Sequence, residues 1–232
     1  MEFNPDKCEV LRVTRSHNPT MVDYILHGKV LKSVDHAKYL GVTFTSDFRW
    51  NKHVSNTTKK ANQVLGVLRR NLKIQSKPLK ATAYKSLVRP ILEYASTVWD
   101  PFTQKETNSL EMVQRRAARY ALGRYDRLSS VTDMLKELKW ESLKLRRERR
   151  RIEMLYKMNN NLVEINKHNL LPKTSRSRHT NSLAFLIPRS ATEYHRNSFF
   201  PRTIKRWNSL PEETVTVNSL TAFKSELDKL LQ

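Results

Sequence analysis

The hydrophobic pattern of the chain changes near Trp50, from the short alternation of strands to the spacing of helices. Residues 8–14 alternate partly at period two and include β-branched side chains, which predicts a strand. Further strands are predicted at residues 24–26, 30–31 and 39–44. Gly28 suits a tight turn between the second and third of these, because glycine tolerates positive φ. The first 50 residues therefore predict a small antiparallel sheet of three or four strands.

After Trp50, apolar residues recur at spacings of three and four, which is typical of one face of an α-helix. Helices are predicted at residues 51–72, 78–91, 110–122, 131–138, 143–159, 200–210 and 220–231. Gly123 fits a C-terminal cap, and Ser130 and Ser142 fit N-terminal caps. Residues 172–178 are polar and basic and show no apolar period, which predicts a linker. The predicted fold class is α+β, mostly α, with the small sheet first, a helical bundle next and a C-terminal helical segment last.

Composition narrows the class of protein. A length of 232 residues allows one large domain or two small ones, and 4 Trp, 8 Tyr and 8 Phe supply enough apolar mass for a core. Cys8 is the single cysteine, which excludes an internal disulfide or a zinc site built on cysteines. No stretch approaches the length of a transmembrane helix, and the first residues lack the apolar segment of a signal peptide. We expect an intracellular protein, nuclear or cytoplasmic, with no membrane contact.

The chain is strongly basic. It has 43 Lys and Arg against 22 Asp and Glu, a formal net charge of +21. Residues 51–160 carry +15 of this charge, residues 1–50 carry +1 and residues 161–232 carry +5. Such a surplus repels itself unless a polyanion accepts it, which makes nucleic acid the first candidate partner and an anionic membrane surface the second. Of these two candidates we predict nucleic acid and no membrane.

The sequence offers no recognisable catalytic arrangement. Two-metal phosphoryl transfer needs clustered carboxylates, and no two Asp residues are adjacent anywhere in the chain. The 7 His residues form no His-x-x-x-His pair, and a Gly-x-Ser-x-Gly turn is absent. We expect no catalytic residue, no metal site and no cofactor in this chain.

Basic residues gather in three groups along the predicted helices. Residues 144–151 place six Lys and Arg in about two helical turns, and residues 114–119 and 68–70 add two smaller groups. Guanidinium groups bind phosphate oxygens as a fork, whereas the alternative is a solvated helix face whose Arg stems cover apolar surface. Because these helices also carry good apolar faces, we favour nucleic-acid contact. The predicted phosphate contacts are Arg69, Arg70, Arg115, Arg116, Arg119, Arg146, Arg147 and Arg150.

The tryptophans divide into two kinds. Trp99, Trp140 and Trp207 each lie beside an apolar helical face, which favours core packing over base stacking. Trp50 lies at the predicted junction of strand and helix. There it could either seat the helix or face a sugar–phosphate backbone, and the sequence leaves both alternatives open.

Several motifs, read in order, resemble the reverse transcriptase of non-LTR retrotransposons. Three segments of this chain resemble the end of the palm: FNPDKCEV at residues 3–10, YLGV at residues 39–42, and Trp50 with His53. Four further segments resemble the region after the palm in jockey-like and CR1-like elements. They are YKSLVRPILEYASTVWDP at residues 84–101, LEMVQRRAAR at 110–119, LKW at 138–140 and RWNSLP at 206–211. The resemblance spans nearly the whole chain.

The resemblance implies a domain order and a partner. Residues 1–50 correspond to a remnant of the palm with a primer-grip-like hairpin. Residues 51–160 correspond to a basic, helical, thumb-like domain, and residues 161–232 to a linker and a helical connector. The implied partner is an RNA/DNA duplex or the backbone of an RNA–DNA hybrid, and the palm and fingers of a longer chain are a further candidate.

The resemblance also implies roles for single residues. Lys7 matches a palm lysine near the phosphates of the incoming nucleotide, and Tyr39, Leu40 and Gly41 match the hairpin that grips the 3′ end of the primer. The full-length family uses Mg²⁺, but its catalytic Asp residues precede the segment that this chain resembles. We therefore expect a polymerase fragment that binds template and primer and is inactive by itself. An inert retroelement remnant and a basic protein-interaction module remain as alternatives.

Overall fold

The structure is a computed structural model that describes residues 3–14, 16, 18–73, 75–126, 128–165 and 180–231. The predicted linker at residues 172–178 lies outside these ranges. The chain divides into two units: the first comprises Met1–Leu92 and Thr103–Gly123, and the second comprises Glu93–Phe102 and Arg124–Gln232. Residues 51–160, which the resemblance assigns to one thumb-like domain, are thus shared between both units.

The β part of the first unit consists of short strand pairs. In chain order the strands are β1 (Glu9–Leu11), β2 (Ile25–Leu26), β3 (Lys29–Val30), β4 (Lys32–Val34), β5 (His36–Tyr39) and β6 (Val42–Thr45). β2–β3 and β5–β6 are antiparallel hairpins, while β1 and β4 pair in parallel. The predicted small N-terminal β part is confirmed, but its strands form three pairs within the described residues instead of one sheet of three or four strands.

Both hairpins turn through two residues with positive φ. The φ angles are 50° at His27 and 75° at Gly28, and 45° at Leu40 and 82° at Gly41. Two positive φ values in succession match the right-handed twist of the flanking strands, and glycine accepts such angles without steric cost. The tight turn at Gly28 is therefore confirmed. Residues 39–44, predicted as one strand, instead contain the turn of the β5–β6 hairpin.

The helices follow the predicted pattern closely. In chain order they are α1 (Asn51–Asn71), α2 (Lys77–Ala83), α3 (Arg89–Glu93), α4 (Ser96–Trp99), α5 (Gln104–Leu122), α6 (Val131–Glu137), α7 (Leu143–Asn159), α8 (Glu193–Arg196), α9 (Phe199–Asn208), α10 (Glu212–Val215) and α11 (Leu220–Leu230). The mostly helical fold class is confirmed. None of the helices in the described part of the chain has both the length and the apolar character needed to cross a membrane.

The first unit is built on α1 and α5, which pack against each other. Their apolar faces are buried, including Leu65 of α1 and Val113 of α5. A π-helical turn, Tyr84–Val88, joins α2 to α3, and the buried Tyr84 hydroxyl donates to Gln114 Oε1 at 2.9 Å. α5 ends as predicted at Gly123, whose φ of 69° lets its N–H bond to the carbonyl of residue 119.

His53 links the β5–β6 hairpin to α1. Its Nδ1 accepts a hydrogen bond from the backbone N–H of Thr43 at 3.1 Å, and only 5% of the residue is exposed. Burial lowers the pKa of His53 from 6.5 to about 4. The ring of Trp50 packs edge-on against Phe44 at 5.7 Å and against His53 at 6.5 Å. These contacts favour the first alternative for Trp50, in which it seats the helix.

Acidification is expected to destabilise the first unit through His53. The unfolded chain binds a proton at this histidine below about pH 6.5, whereas the native ring stays neutral until about pH 4. The stabilisation is therefore present above pH 6.5 and is lost as the pH falls toward 4. Between about pH 7 and about pH 5, we expect the free energy of unfolding to drop by about 2 kcal/mol from this group.

Urea unfolding at both pH values, in the natural protein and in His53→Asn, measures this contribution. Asparagine keeps an acceptor for the Thr43 N–H but does not titrate. The variant should therefore lose about 2 kcal/mol less on acidification than the natural protein. An identical pH dependence in both proteins would contradict the assignment.

The core of the second unit forms where α9 and α11 pack with α7. Tyr156 of α7 stacks on Phe223 of α11 with ring centroids 4.2 Å apart, and Trp207 of α9 lies 5.9 Å from the same phenyl ring. Trp99, Trp140 and Trp207 are all buried, which confirms the prediction that they pack in the core. The predicted caps at Ser130 and Ser142 are also confirmed, since each hydroxyl accepts a backbone N–H at its helix start.

Candidate nucleic-acid interface

The helical part of the first unit carries positive charge with almost no acidic residues. Residues 51–92 and 103–123 hold 14 Lys and Arg but only Glu106 and Glu111 as acids. α1 has no acidic residue over its whole length. Lys52, Lys59 and Arg70 lie on the exposed side of α1, spaced so that they follow one face of the helix. The sequence places this charge, but packing decides how much of it stays on the surface.

Hydrogen bonds between α1 and α5 show that the two helices run in the same direction. Arg116 Nη1 donates to Asn62 Oδ1 at 3.1 Å. One turn later, the Tyr120 hydroxyl is 3.4 Å from the carbonyl oxygens of Leu68 and Leu72. Because later residues of α5 meet later residues of α1, the carboxyl ends of both helices lie together.

This arrangement brings basic side chains from three helices to one place. Arg69 and Arg70 are in the last turn of α1, and Arg119 is in the last turn of α5. Lys80 of α2 lies with its ammonium group 5.5 Å from the centre of the Tyr120 ring. The partial negative charge at a helix carboxyl end stabilises cations there. We call this group the carboxyl-end cluster: Arg69, Arg70, Lys80, Arg116 and Arg119.

Four of the five members of the carboxyl-end cluster were predicted from the sequence as phosphate contacts, and Lys80 was not. Lys80 has neutral neighbours on both sides, with Lys77 and Lys85 three and five positions away, so it is not part of a run of charge. Its position depends on the packing of α2 against α5. Arg115, also predicted as a phosphate contact, is exposed on α5 one turn before Arg119.

The residues that the resemblance assigns to the palm lie on other elements of the first unit. Lys7 is exposed at the end of a short 3₁₀ helix, Pro5–Lys7. Tyr39 and Leu40 project from the tip of the β5–β6 hairpin and are 68% and 72% exposed, and Gly41 beside them is exposed as well. Large apolar side chains at such exposure are unusual on a protein surface.

The arginines of α7 face carboxylates of their own unit. Arg146 and Arg150 both bind the buried Glu93, with Arg150 Nη2 donating to Glu93 Oε2 at 2.8 Å. Arg149 pairs with Glu141 at 2.6 Å and with Asp228 at 2.8 Å. The pairing with Glu141 raises the pKa of Arg149. Each arginine of this run therefore has a carboxylate partner inside the second unit, although several of them share one carboxylate.

Arg147 is buried and is not placed where a phosphate contact would need it. Its side chain has no exposed surface, and its Nε donates to Asp100 Oδ1 at 2.7 Å. A buried guanidinium cannot reach the backbone of a duplex, so the predicted phosphate contact at Arg147 is wrong for this structure. Arg146 and Arg150 keep part of their surface exposed, yet each already has Glu93 as a partner. The carboxylates that bind these arginines lie about 50 residues earlier in the sequence, where no local pattern connects them.

Sequence comparison relates part of the chain to a known protein. A probable RNA-directed DNA polymerase from transposon BS of Drosophila melanogaster is 28% identical over 126 residues. The match covers 51% of this chain and 14% of that polymerase. No protein-family profile matches the chain, and no solved structure matches it. The similarity supports a relation to the reverse transcriptases of transposons.

Proposed function

We propose that this chain is the template–primer-binding, thumb-like part of a non-LTR retrotransposon reverse transcriptase. The distant similarity to a transposon RNA-directed DNA polymerase supports the family. The observation that carries the binding role is the uneven neutralisation of charge. The arginines of α7 have carboxylate partners, whereas the helical part of the first unit contains 14 basic residues and only two acidic ones.

The carboxyl-end cluster is the main contact in this proposal. Its guanidinium groups bind phosphate oxygens of an RNA–DNA hybrid or of a duplex, with Arg115 extending the contact along α5. Each phosphate neutralised releases condensed counterions, so affinity depends steeply on salt. Contacts to phosphates give no information about the base sequence, and the binding is therefore only weakly sequence-selective.

The tip of the β5–β6 hairpin and Lys7 have additional roles in the proposed function. Tyr39, Leu40 and Gly41 contact the primer end, and Lys7 lies near the nucleotide phosphates only when the palm of a longer chain is present. Arg146 and Arg150 are secondary contacts, because Glu93 already balances much of their charge. The chain has no adjacent Asp pair, so we infer that the Mg²⁺ chemistry of polymerisation belongs to that longer chain and not to this segment.

Fluorescence anisotropy with a labelled RNA–DNA hybrid tests the proposal. For about five phosphate contacts, raising the salt from about 50 mM to about 200 mM should weaken binding roughly 10²- to 10³-fold. A primer-extension assay with Mg²⁺ on the same sample should show no incorporation. Absence of binding at micromolar protein, or an affinity that is unchanged by salt, would contradict the proposed function.

One observation favours a protein-binding role as the second candidate. The hairpins expose Tyr24, Ile25, Val30, Tyr39 and Leu40, each by more than half of its surface. Such apolar patches mark contact sites for other proteins or cause aggregation. If an acidic protein displaces the hybrid in a competition titration, the protein-interaction role is supported instead. Aggregation without a cooperative melt would support the inert remnant.

A further inference from the structure

The second unit buries more positive than negative charge around Asp100. The Oδ1 atom of Asp100 accepts a hydrogen bond from Arg147, and its Oδ2 atom lies 3.0 Å from Arg151 Nε and 3.2 Å from Arg202 Nη1. The side chains of Asp100, Arg147 and Arg151 are 5%, 0% and 6% exposed. Three guanidinium groups therefore share one carboxylate with little access to water. We call these four residues the Asp100 cluster.

Several buried donors at the Asp100 cluster lack a hydrogen-bond partner among the described residues. They are Arg147 Nη1 and Nη2 and Arg151 Nε and Nη1, and the acceptor Asp100 Oδ2 lacks a hydrogen-bond partner as well. The buried hydroxyls of Ser96 and Thr203 are also unpaired. Ser96 begins α4, just before Asp100, and Thr203 follows Arg202 in α9. Both α4 and α9 pack against α7, which carries Arg147 and Arg151. Because buried polar groups are paired in nearly all native proteins, a group outside the chain is expected to satisfy these donors.

Charge indicates what kind of group this is. Glu148 also attracts Arg151, but Glu148 is itself paired with Arg206 at 2.9 Å and so adds no net charge. Burial lowers the pKa of Arg151 to about 10, despite the attraction of Asp100 and Glu148, so its guanidinium is still charged at neutral pH. A water molecule would satisfy donors without balancing this charge. A small anion does both, and uncompensated buried charge is strongly destabilising.

We propose that the Asp100 cluster binds one small inorganic anion, a halide or a phosphate-like oxyanion, as a structural ligand of the second unit. The anion accepts hydrogen bonds from the free Nη groups of Arg147 and Arg151. A nucleic-acid backbone is too large to reach Arg147, which has no exposed surface. Arg202, with 22% of its side chain exposed, is where the cluster meets solvent and where the ion enters.

Crystallography of the whole chain tests the site directly. In crystals grown with bromide, we expect an anomalous peak at about 3.3 Å from Arg147 Nη or Arg151 Nη1, somewhat longer than the spacing of an N–H···O bond. In crystals grown with phosphate and without halide, tetrahedral density in the same place assigns an oxyanion instead. Either result supports the proposal. Density that refines only as water in both crystals overturns it.

Thermal unfolding gives an independent test in solution. The natural protein is compared in chloride, in phosphate and in gluconate at matched ionic strength, with Arg202→Gln and Lys205→Gln beside it. Lys205 is exposed on the same helix, and its replacement removes the same single charge. At saturating anion, we expect the melting temperature to rise on the order of 5 °C in the natural protein and in Lys205→Gln. The rise should be clearly smaller in Arg202→Gln, which removes one of the positive charges that the anion balances, and an equal rise in all three proteins contradicts the site.

Discussion

Replacing Asp100 with asparagine should lower the free energy of unfolding by roughly 3–5 kcal/mol, the range expected when one partner of a buried ion pair is removed. Asparagine has nearly the same shape and keeps one acceptor, so the change removes the negative charge and little else. Arg147 and Arg151 would then be buried without any carboxylate in contact, and Arg202 would keep only its contact with the backbone carbonyl of residue 100. Guanidinium-chloride unfolding, followed by the circular dichroism of the helices, measures the loss.

A matched control variant distinguishes the loss of a buried charge from the loss of an exposed one. Glu137 pairs with Arg124 at 2.6 Å, but its side chain is 42% exposed. Since exposed ion pairs contribute about 0–1 kcal/mol, Glu137→Gln should be nearly neutral. If Asp100→Asn and Glu137→Gln cost the same, the buried network does not hold the second unit together.

Removing three charges from the carboxyl-end cluster should weaken binding to an RNA–DNA hybrid by about 100-fold at moderate salt, which is about 1 kcal/mol per contact. The variant is Arg69→Gln, Arg70→Gln and Arg116→Gln combined. Glutamine forms helix nearly as well as arginine, so α1 and α5 should persist. The slope of affinity against salt should also fall by about 2.7, because three phosphate contacts are lost. Anisotropy titrations at several salt concentrations measure both quantities.

The control for this variant removes the same charge from the other unit. Lys136, Lys144 and Lys205 are exposed in the second unit, and changing all three to Gln gives the same net charge as the test variant. We expect its affinity to stay within about threefold of the natural protein, because these residues are outside the carboxyl-end cluster. Equal losses in both variants would mean that overall charge, and not the cluster, drives binding.

Local physics explains the parts of the fold that the sequence predicted well. The helix predicted at residues 51–72 is Asn51–Asn71, and the one predicted at 143–159 is Leu143–Asn159. Their apolar spacing, the hydroxyl of Ser142 and the positive φ of Gly123 act within a few residues along the chain. Such features require no knowledge of distant partners.

The β part was predicted less well, because strand pairing joins distant residues. The parallel pairing of Glu9–Leu11 with Lys32–Val34 has no local signal, and these strands are too short for a clear alternation. The turn at Leu40 and Gly41 was hidden inside an apolar run that read as one strand. The resemblance to a primer-grip hairpin indicated a hairpin there, where the hydrophobic pattern did not.

The sequence by itself determined where the helices lie, that the chain is strongly basic, and that most of this charge is in residues 51–160. Only the tertiary structure decided which of these charges remain on the surface. Arg147 and Asp100 are 47 positions apart, and packing of α4 against α7 brings them to 2.7 Å. In α1 and α5, by contrast, Glu106 and Glu111 are the only acidic residues, and both belong to α5. The physical reason is that charge is a property of composition, whereas neutralisation depends on contacts that form when distant segments pack together.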